Sequence, residues 1–234
     1  MLKDKFGFNF WPSFTDLMLS LVLVVLMILF VVSKMIAAGS ENLDKARESQ
    51  KAIYAQIQNH IGDNYTIAII SDRNNDGERT QVNESKADIT IINKLDRQTI
   101  TFSDKILFDS GSSKLKDVGY DVLATVGPVI KENLANISEI QIQGHADIVN
   151  TDEFNLELAA NRAISVYMFL QHVVGINPAE NLMSATSFGK YRPVGREVGQ
   201  EFDMDKLITA NATNELKAQN RRIEIVLFYK NEIK

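Results

Sequence analysis

Cysteine is absent from this 234-residue sequence, and histidine, proline and glycine are scarce, with 3, 4 and 12 residues respectively. The lack of cysteine excludes a disulfide framework and a thiolate zinc site. His60, His145 and His172 have no metal-ligand spacing, and no glycine-rich phosphate loop is present. A net charge of −5 argues against nucleic acid as a partner, because phosphate binding needs a basic face. The sequence therefore predicts a protein that is not an enzyme and has no cofactor or metal site.

Charged residues are also missing from a long apolar run near the N-terminus. Between Asp16 and Lys34, residues 17–33 contain no charge. About twenty apolar residues are enough to cross a bilayer as one helix. We therefore predict a single transmembrane helix over residues 10–38, with Pro12 in its first turn, where a missing N–H is tolerated.

Asp16 lies close to the start of this predicted span. A charged Asp at the centre of a membrane helix costs about 2.5–3.5 kcal/mol, and less toward the ends. One interpretation places the carboxylate at the interface, where it reaches water. Ionisable residues inside membranes more often face a partner helix or a water-filled cavity and move ions. We therefore interpret Asp16 as an ion carrier.

Lys3 and Lys5 make residues 1–9 a weakly basic head. The positive-inside tendency predicts that this head stays in the cytoplasm and that the C-terminal bulk lies on the other side of the membrane. Residues 37–39, Ala-Ala-Gly, could serve a signal peptidase. The apolar run is longer than the roughly 7–15 residues of a signal peptide and begins with an acid, which favours an uncleaved single-pass anchor.

Residues 39–61 are predicted to form a helical connector, since no proline or glycine occurs from Glu41 to Ile61. A 3-4 spacing typical of a coiled-coil seam joins Leu43, Ala46, Gln50, Ile53, Ile57 and His60. Two of these positions are polar, so two interpretations stay open. The helix is either a dimer seam or a solvated spacer that continues the membrane helix.

The remainder of the sequence predicts an α/β domain preceded by a strand-rich extension. Residues 62–102 contain short alternating segments and are expected to extend or cover the sheet of the following domain. Within residues 103–234, strands alternate with long helices in a β-α-β-α-β order, which indicates helices packed on one or both sheet faces. The predicted strands are 106–108, 139–143, 183–188 and 222–228, the predicted helices are 117–134 and 155–174, and 190–218 is a long exposed loop.

Four short motifs in this domain together are similar to the C-terminal, peptidoglycan-binding domain of the OmpA family. They are Phe-Asp-Ser-Gly-Ser at 108–112, Gly-His-Ala-Asp at 144–147, Asn-Leu-Glu-Leu-Ala-Ala-Asn-Arg-Ala at 155–163 and Asn-Arg-Arg-Ile-Glu-Ile at 220–225. The resemblance covers residues 100–230 in the family's order. Two departures, Ala146 for Thr and Ala159 for Ser, each remove a hydroxyl and leave the charged positions intact.

This resemblance implies that Asp147 and Arg162 hold diaminopimelate in the peptide stem of the cell wall. The ligand end presents an ammonium and a carboxylate. Asp147 would accept hydrogen bonds from the ammonium, and Arg162 would bind the carboxylate with two parallel hydrogen bonds. Asn155 and Arg222 are weaker candidates, because Asn155 suits a helix cap and Arg222 suits support of the site or the sheet. The alternative is a structural Asp147–Arg162 salt bridge without a ligand.

The order of membrane helix, connector and OmpA-like domain resembles the MotB family of stator subunits. That resemblance implies a homodimeric subunit in the bacterial inner membrane with a periplasmic C-terminal domain, a polytopic MotA- or ZorA-like partner, and proton or sodium transfer at Asp16. Residues 11–18 depart from flagellar members and favour the ZorB-like branch of Zorya anti-phage defence. A flagellar stator subunit and a passive wall tether are the alternatives. A passive tether does not need a carboxylate inside the membrane, so Asp16 argues against it.

Overall fold

The computed structural model describes residues 11–71, 87–196 and 199–230. The chain divides into two units, with the boundary between Asn42 and Leu43. Helix α1 runs from Trp11 to Ile61. Its apolar part is long and hydrophobic enough to cross a membrane: the best 18-residue window has a mean hydropathy of 2.8, and none of that window is buried. The predicted N-terminal apolar helix is confirmed.

The second unit contains a six-stranded mixed sheet with the order β1-β2-β3-β6-β4-β5. The pairs β1–β2 and β4–β5 are parallel, and the other three pairs are antiparallel. The last strand therefore lies in the middle of the sheet. The strands are β1 Ile67–Ser71, β2 Ile89–Asn93, β3 Arg97–Ser103, β4 Ile137–His145, β5 Leu182–Ser187 and β6 Arg222–Tyr229.

Among the described residues, five further helices belong to the same unit. Two long ones agree with the predicted alternation, and three short ones lie at turns or in connecting segments. The helices are α2 Asp104–Leu107, α3 Asp117–Glu132, α4 Asp152–His172, α5 Met204–Thr209 and α6 Asn214–Asn220. A 3-10 turn, Leu134–Asn136, leads into β4.

Two local predictions are wrong. The strand expected at 106–108 is instead the end of the one-turn helix α2, closed by the Phe108 N–H, which donates to the carbonyl of Asp104 at 2.8 Å. Phe108 itself is extended and forms an isolated β-bridge with Leu115. Ile106, Leu107 and Phe108 are all buried, whereas a half-buried strand would expose alternate residues. The segment 190–218, expected to be a loop, contains α5 and most of α6. Side chains of Asp203 and Thr213 accept the N-terminal hydrogen bonds of these two helices.

One sheet face carries the hydrophobic core and is covered by the last part of α1, by α3 and by α4. Alternate strand residues point into this core, as shown by the burial of Ile100 and Phe102 in β3 and of Ile140 and Ile142 in β4. Gly144 allows α4 to approach β4 closely, because a Cβ there would collide with the backbone carbonyl of Ala159. The opposite face of the sheet carries polar side chains.

The connector helix is neither a dimer seam nor a solvated spacer. Ile53 and Ile57 are completely buried and belong to the same core as the strands. Gln50 also contributes to this packing. Its side-chain amide donates to the backbone carbonyl of Lys94 at 2.9 Å, and its backbone carbonyl accepts the side-chain amide of Gln98 at 3.1 Å. The 3-4 pattern therefore marks a face that packs on the chain's own sheet.

Candidate functional site

A groove of about 600 Å³ lies where the end of β4, the start of α4 and the turn α2 meet. We call it the Asp147 groove. Its walls combine charged groups with exposed apolar side chains, notably Val149 and Phe154. The charged lining residues are Asp104, Lys105, Asp109, Lys116, Asp147, Arg162 and Arg221.

Asp147 enters the groove from the loop that connects β4 to α4. Its Oδ1 accepts the N–H of Val149 at 2.9 Å, which closes a tight turn. Asn150 follows with a φ of +71°, a left-handed conformation that asparagine tolerates better than most residues. The hydroxyl of Thr151 then accepts the N–H of Phe154 and caps α4. These local bonds fix the carboxylate at the groove rim.

Arg162 projects from the middle of α4 and is 97% buried, as its exposed fraction is 3%. Its Nε donates to the carbonyl of Ser112 at 2.9 Å, and its Nη2 donates to the carbonyl of Asp109 at 3.3 Å. The guanidinium also lies 5.2 Å from the ring centre of Phe108. Arg162 thus holds the loop that forms one wall of the groove.

Four charged groups of alternating sign run across the groove. Arg221 Nη1 lies 2.5 Å from Asp147 Oδ2, and Arg221 Nε lies 3.5 Å from Asp104 Oδ2. Arg162 Nη1 donates to the same Asp104 oxygen at 3.1 Å. Burial raises the pKa of Asp104, and the two guanidinium groups oppose this rise without cancelling it. Burial likewise lowers the pKa of Arg162, against the opposing charge of Asp104.

The direct Asp147–Arg162 salt bridge considered from the sequence is wrong. Both residues line one groove, as their placement at a strand end and on the following helix predicts, but each pairs with a different partner. The sequence interpretation missed Asp104 and Arg221, which form ion pairs across the groove. A strand places neighbouring side chains on opposite faces, so only one of two adjacent arginines can reach the groove.

Asn155 lines the groove but does not cap α4, a role that belongs to Thr151. Its buried amide donates to the carbonyls of Asp147 and Val149 at 3.1 and 2.6 Å. Asn155 therefore holds the loop that carries Asp147. The cap prediction is wrong, and the Asn155 side chain instead stabilises the backbone of the loop that carries Asp147.

Arg222 lies outside the Asp147 groove, on the other sheet face. Its Nε donates to Glu224 at 2.7 Å, and its terminal nitrogens donate to the carbonyl of Arg192. Although burial alone would raise the pKa of Glu224, the charge of Arg222 holds it below the ordinary value. This arrangement agrees with the expected support of the sheet, and it gives Arg222 no contact with the groove.

His145 is a buried ring beside this ion pair. Its Nε2 lies 3.6 Å from Glu224 Oε2, too far for a hydrogen bond, and both ring nitrogens lack a partner among the described residues. The ring stacks on Phe188 with a centroid distance of 5.3 Å. Burial, together with the nearby positive charge of Arg222, lowers the pKa of His145 to about 4. The ring is therefore neutral at physiological pH.

Asp16 lies on the apolar part of α1, where its side chain is exposed. Within residues 11–71, 87–196 and 199–230, no group of three or more His, Asp or Glu side chains is arranged to hold a metal ion.

Comparisons with known proteins agree with this architecture. Residues 107–203 match the OmpA family model. The peptidoglycan-associated lipoprotein of Mesorhizobium japonicum is 34% identical over 96 residues, which make up 41% of this chain and 54% of that protein. Outer membrane porin F of Pseudomonas aeruginosa is 29% identical over 119 residues, or 51% of this chain and 29% of that protein.

A crystal structure of a MotB-like protein from Desulfovibrio vulgaris has the same fold. It matches with a TM-score of 0.54 at 22% sequence identity, covering 82% of this chain and 98% of that chain. The present chain spans only about half the length of the Mesorhizobium relative and less of the porin. Together these comparisons show an OmpA-like mixed α/β fold for the domain that follows the N-terminal apolar helix.

Proposed function

We propose that this protein is a cell-wall-anchored stator subunit of an ion-driven motor complex in the bacterial inner membrane. Its N-terminus lies in the cytoplasm and its OmpA-like domain in the periplasm. The Asp147 groove binds the diaminopimelate stem peptide of peptidoglycan, and Asp16 carries the ion, most simply a proton. The observation that supports wall binding best is the row of alternating charges formed by Asp147, Arg221, Asp104 and Arg162.

This row suits a ligand end that carries both an ammonium and a carboxylate. The ammonium pairs with Asp147, and the carboxylate pairs with a guanidinium, so existing ion pairs are exchanged and no buried charge is left alone. Arg221 has a side chain that is 38% exposed and meets the ligand first, whereas the deeper Arg162 holds the wall of the groove. Val149 and Phe154 provide apolar contact for the methylene chain of the ligand.

Asp16 supports an ion-driven role over a passive tether. A membrane potential supplies about 2.3 kcal/mol per charge for each 100 mV, comparable to the cost of one carboxylate in the bilayer. In this proposal, the Asp16 carboxylate takes up the ion on one side of the membrane and releases it on the other. A polytopic MotA- or ZorA-like partner completes the channel, and two copies of this chain share it. Since Ile53 and Ile57 pack on their own sheet, the dimer contact uses other residues.

Within the stator class, we assign the protein to the ZorB-like branch of anti-phage defence. The support is the sequence of residues 11–18, Trp-Pro-Ser-Phe-Thr-Asp-Leu-Met, which departs from flagellar members. A flagellar stator subunit is the competing function. A MotA-like gene beside defence nucleases supports the first assignment, and flagellar genes in that position support the second.

Sedimentation with purified sacculi tests wall binding with the full chain in detergent. Asp147→Asn removes one charge at nearly constant shape and is expected to weaken binding about ten- to a hundredfold, because a charge-assisted hydrogen bond contributes about 1.5–3 kcal/mol. Arg162→Lys keeps the charge but loses the planar fork, and is expected to weaken binding as well. Asp121→Asn, on the exposed face of α3, is the matched control.

A melting curve run beside each variant separates binding from folding. Retention of the wild-type chain in the supernatant would overturn the anchoring proposal. Loss of thermal stability in Asp147→Asn, with sedimentation equal to that of the wild type, would mean that the carboxylate only holds its loop together.

A further inference from the structure

A second cavity, of about 570 Å³, lies on the polar face of the sheet, opposite the core helices. We call it the sheet-face cleft. Its floor consists of side chains from β2, β3 and β6, and its roof consists of residues 192–196 and part of α6. Since β3 has seven residues, the floor extends over roughly 20 Å.

Hydroxyl groups dominate the floor of the sheet-face cleft. Thr99, Thr101 and Ser103 alternate along β3 with the core residues Ile100 and Phe102. The strand register places Thr101 between Thr90 on one side and Glu224 on the other. These hydroxyls provide donors and acceptors for a polar ligand, beside the apolar side chains of Ile70 and Ile92 in the same lining.

Two arginines beside this floor pair with no carboxylate among the described residues. Arg192 donates to the amide oxygen of Gln143 at 2.8 Å, and Arg196 donates to the carbonyl of Tyr191 and lies 4.5 Å from the ring centre of Phe202. Arg222 differs, because Glu224 already neutralises it. The roof therefore presents two guanidinium groups whose charge no described carboxylate compensates within ion-pair distance.

Two lysines extend the positive charge to both ends of the cleft. Lys94 lies at the β2–β3 turn, and Lys105 lies just beyond the end of β3, where it borders the Asp147 groove as well. In a chain with a net charge of −5, the lining holds more cations than anions. The cations are Lys94, Lys105, Arg192, Arg196 and Arg222, and the anions are Asp88, Glu215 and Glu224.

We propose that the sheet-face cleft binds a glycan strand that carries free carboxylates. The inference rests on the proposed binding of the cell wall, and adds a second contact with the same polymer. An extended, hydroxyl-rich chain matches the hydroxyl floor, and its carboxylates match Arg192, Arg196 and Lys94. In peptidoglycan the lactyl carboxylate is free only where the stem peptide has been removed, because elsewhere it forms the amide bond to that peptide. The cleft therefore selects stem-free stretches of glycan.

Fluorescence anisotropy tests this inference with the full chain in detergent and labelled glycan strands from which the stem peptides have been cleaved. Binding is expected to weaken about tenfold in the double variant Lys94→Gln/Arg196→Gln, since partly exposed ion pairs contribute about 0.2–1 kcal/mol each and more where several charges act together. Lys51→Gln, an exposed lysine of α1 outside both cavities, is the control. Amidation of the glycan carboxylates is expected to abolish the difference between the double variant and the wild type.

Asp147→Asn separates this inference from the proposed function. This variant is expected to bind the stem peptide more weakly and the stem-free glycan as the wild type does. The double variant is expected to bind the glycan more weakly and the stem peptide as the wild type does. Failure of the wild type to bind stem-free glycan, with stem peptide still bound, would overturn the cleft proposal alone. Equal glycan binding by the wild type and the double variant, at unchanged melting temperature, would also overturn it. Failure to bind stem peptide would count against the Asp147 groove instead.

Discussion

Replacing Ile53 with alanine tests whether the connector helix belongs to the folded domain. Ile53 is completely buried in the core beneath the sheet. Truncation of such a residue to alanine costs about 2–5 kcal/mol, through lost burial and the cavity left behind. In a domain of this size each kcal/mol lowers the melting temperature by about 2–4 °C. We therefore expect the melting temperature to fall by roughly 6–12 °C for a loss near 3 kcal/mol.

Amide hydrogen exchange in β3 and β6 is the suitable assay for the full chain in detergent. The apolar part of α1 stays helical in micelles and would mask the transition in a helix-weighted signal, whereas these two central strands report on the domain itself. Gln58→Ala, on the exposed side of the same helix, is the control. Unchanged exchange in Ile53→Ala, together with disulfide formation between two Ile53→Cys chains, would refute the packing described above and restore the dimer seam.

Two further predictions concern Asp16 and His145. Asp16→Asn is expected to abolish ion-driven activity while membrane insertion and partner association persist, and Asp16→Glu is expected to retain part of the activity; full activity in the Asn variant, measured in cells, would favour the passive tether. The pKa of His145 falls from 6.5 in the unfolded chain to about 4 in the fold, so the unfolded state takes up the proton first as the pH falls between these values. The free energy of unfolding is therefore expected to decrease by about 3 kcal/mol across this interval. Denaturant titrations at several pH values measure this, and a slope in His145→Gln as steep as that of the wild type would exclude His145 as its cause.

The long elements of the α/β domain were predictable because their hydrophobic periods extend over many residues. The predicted helix 117–134 corresponds to Asp117–Glu132, and the predicted strand 222–228 to Arg222–Tyr229. Short segments were not predictable in this way. Three apolar residues at 106–108 are too few to distinguish a helical turn from a strand, and in the fold Ile106 and Leu107 end a turn while Phe108 is extended. The helices α5 and α6 are likewise too short for a periodic signal.

The partners of a predicted surface were harder to predict than the surface itself. The apolar stripe of residues 43–61 was visible in the sequence, but its period is the same whether the helix packs on a second helix or on its own sheet. Asp147 and Arg162 were identified as residues of one site, and they do line one groove. Their ion pairs with Arg221 and Asp104 depend on how distant segments fold together, which spacing alone does not reveal.

The central position of β6 has a consequence for how this domain is made. Residues 222–229 pair with β3 on one side and with β4 on the other, so they join two halves of the sheet that have no ladder between them. During synthesis, or during passage across a membrane, each half keeps an unpaired strand edge until residues 222–229 are available to pair. Such late, long-range pairing makes folding slow and leaves unpaired strands open to aggregation. A chain interrupted before residue 222 would leave both of these edges unpaired and is expected to be a substrate for proteases.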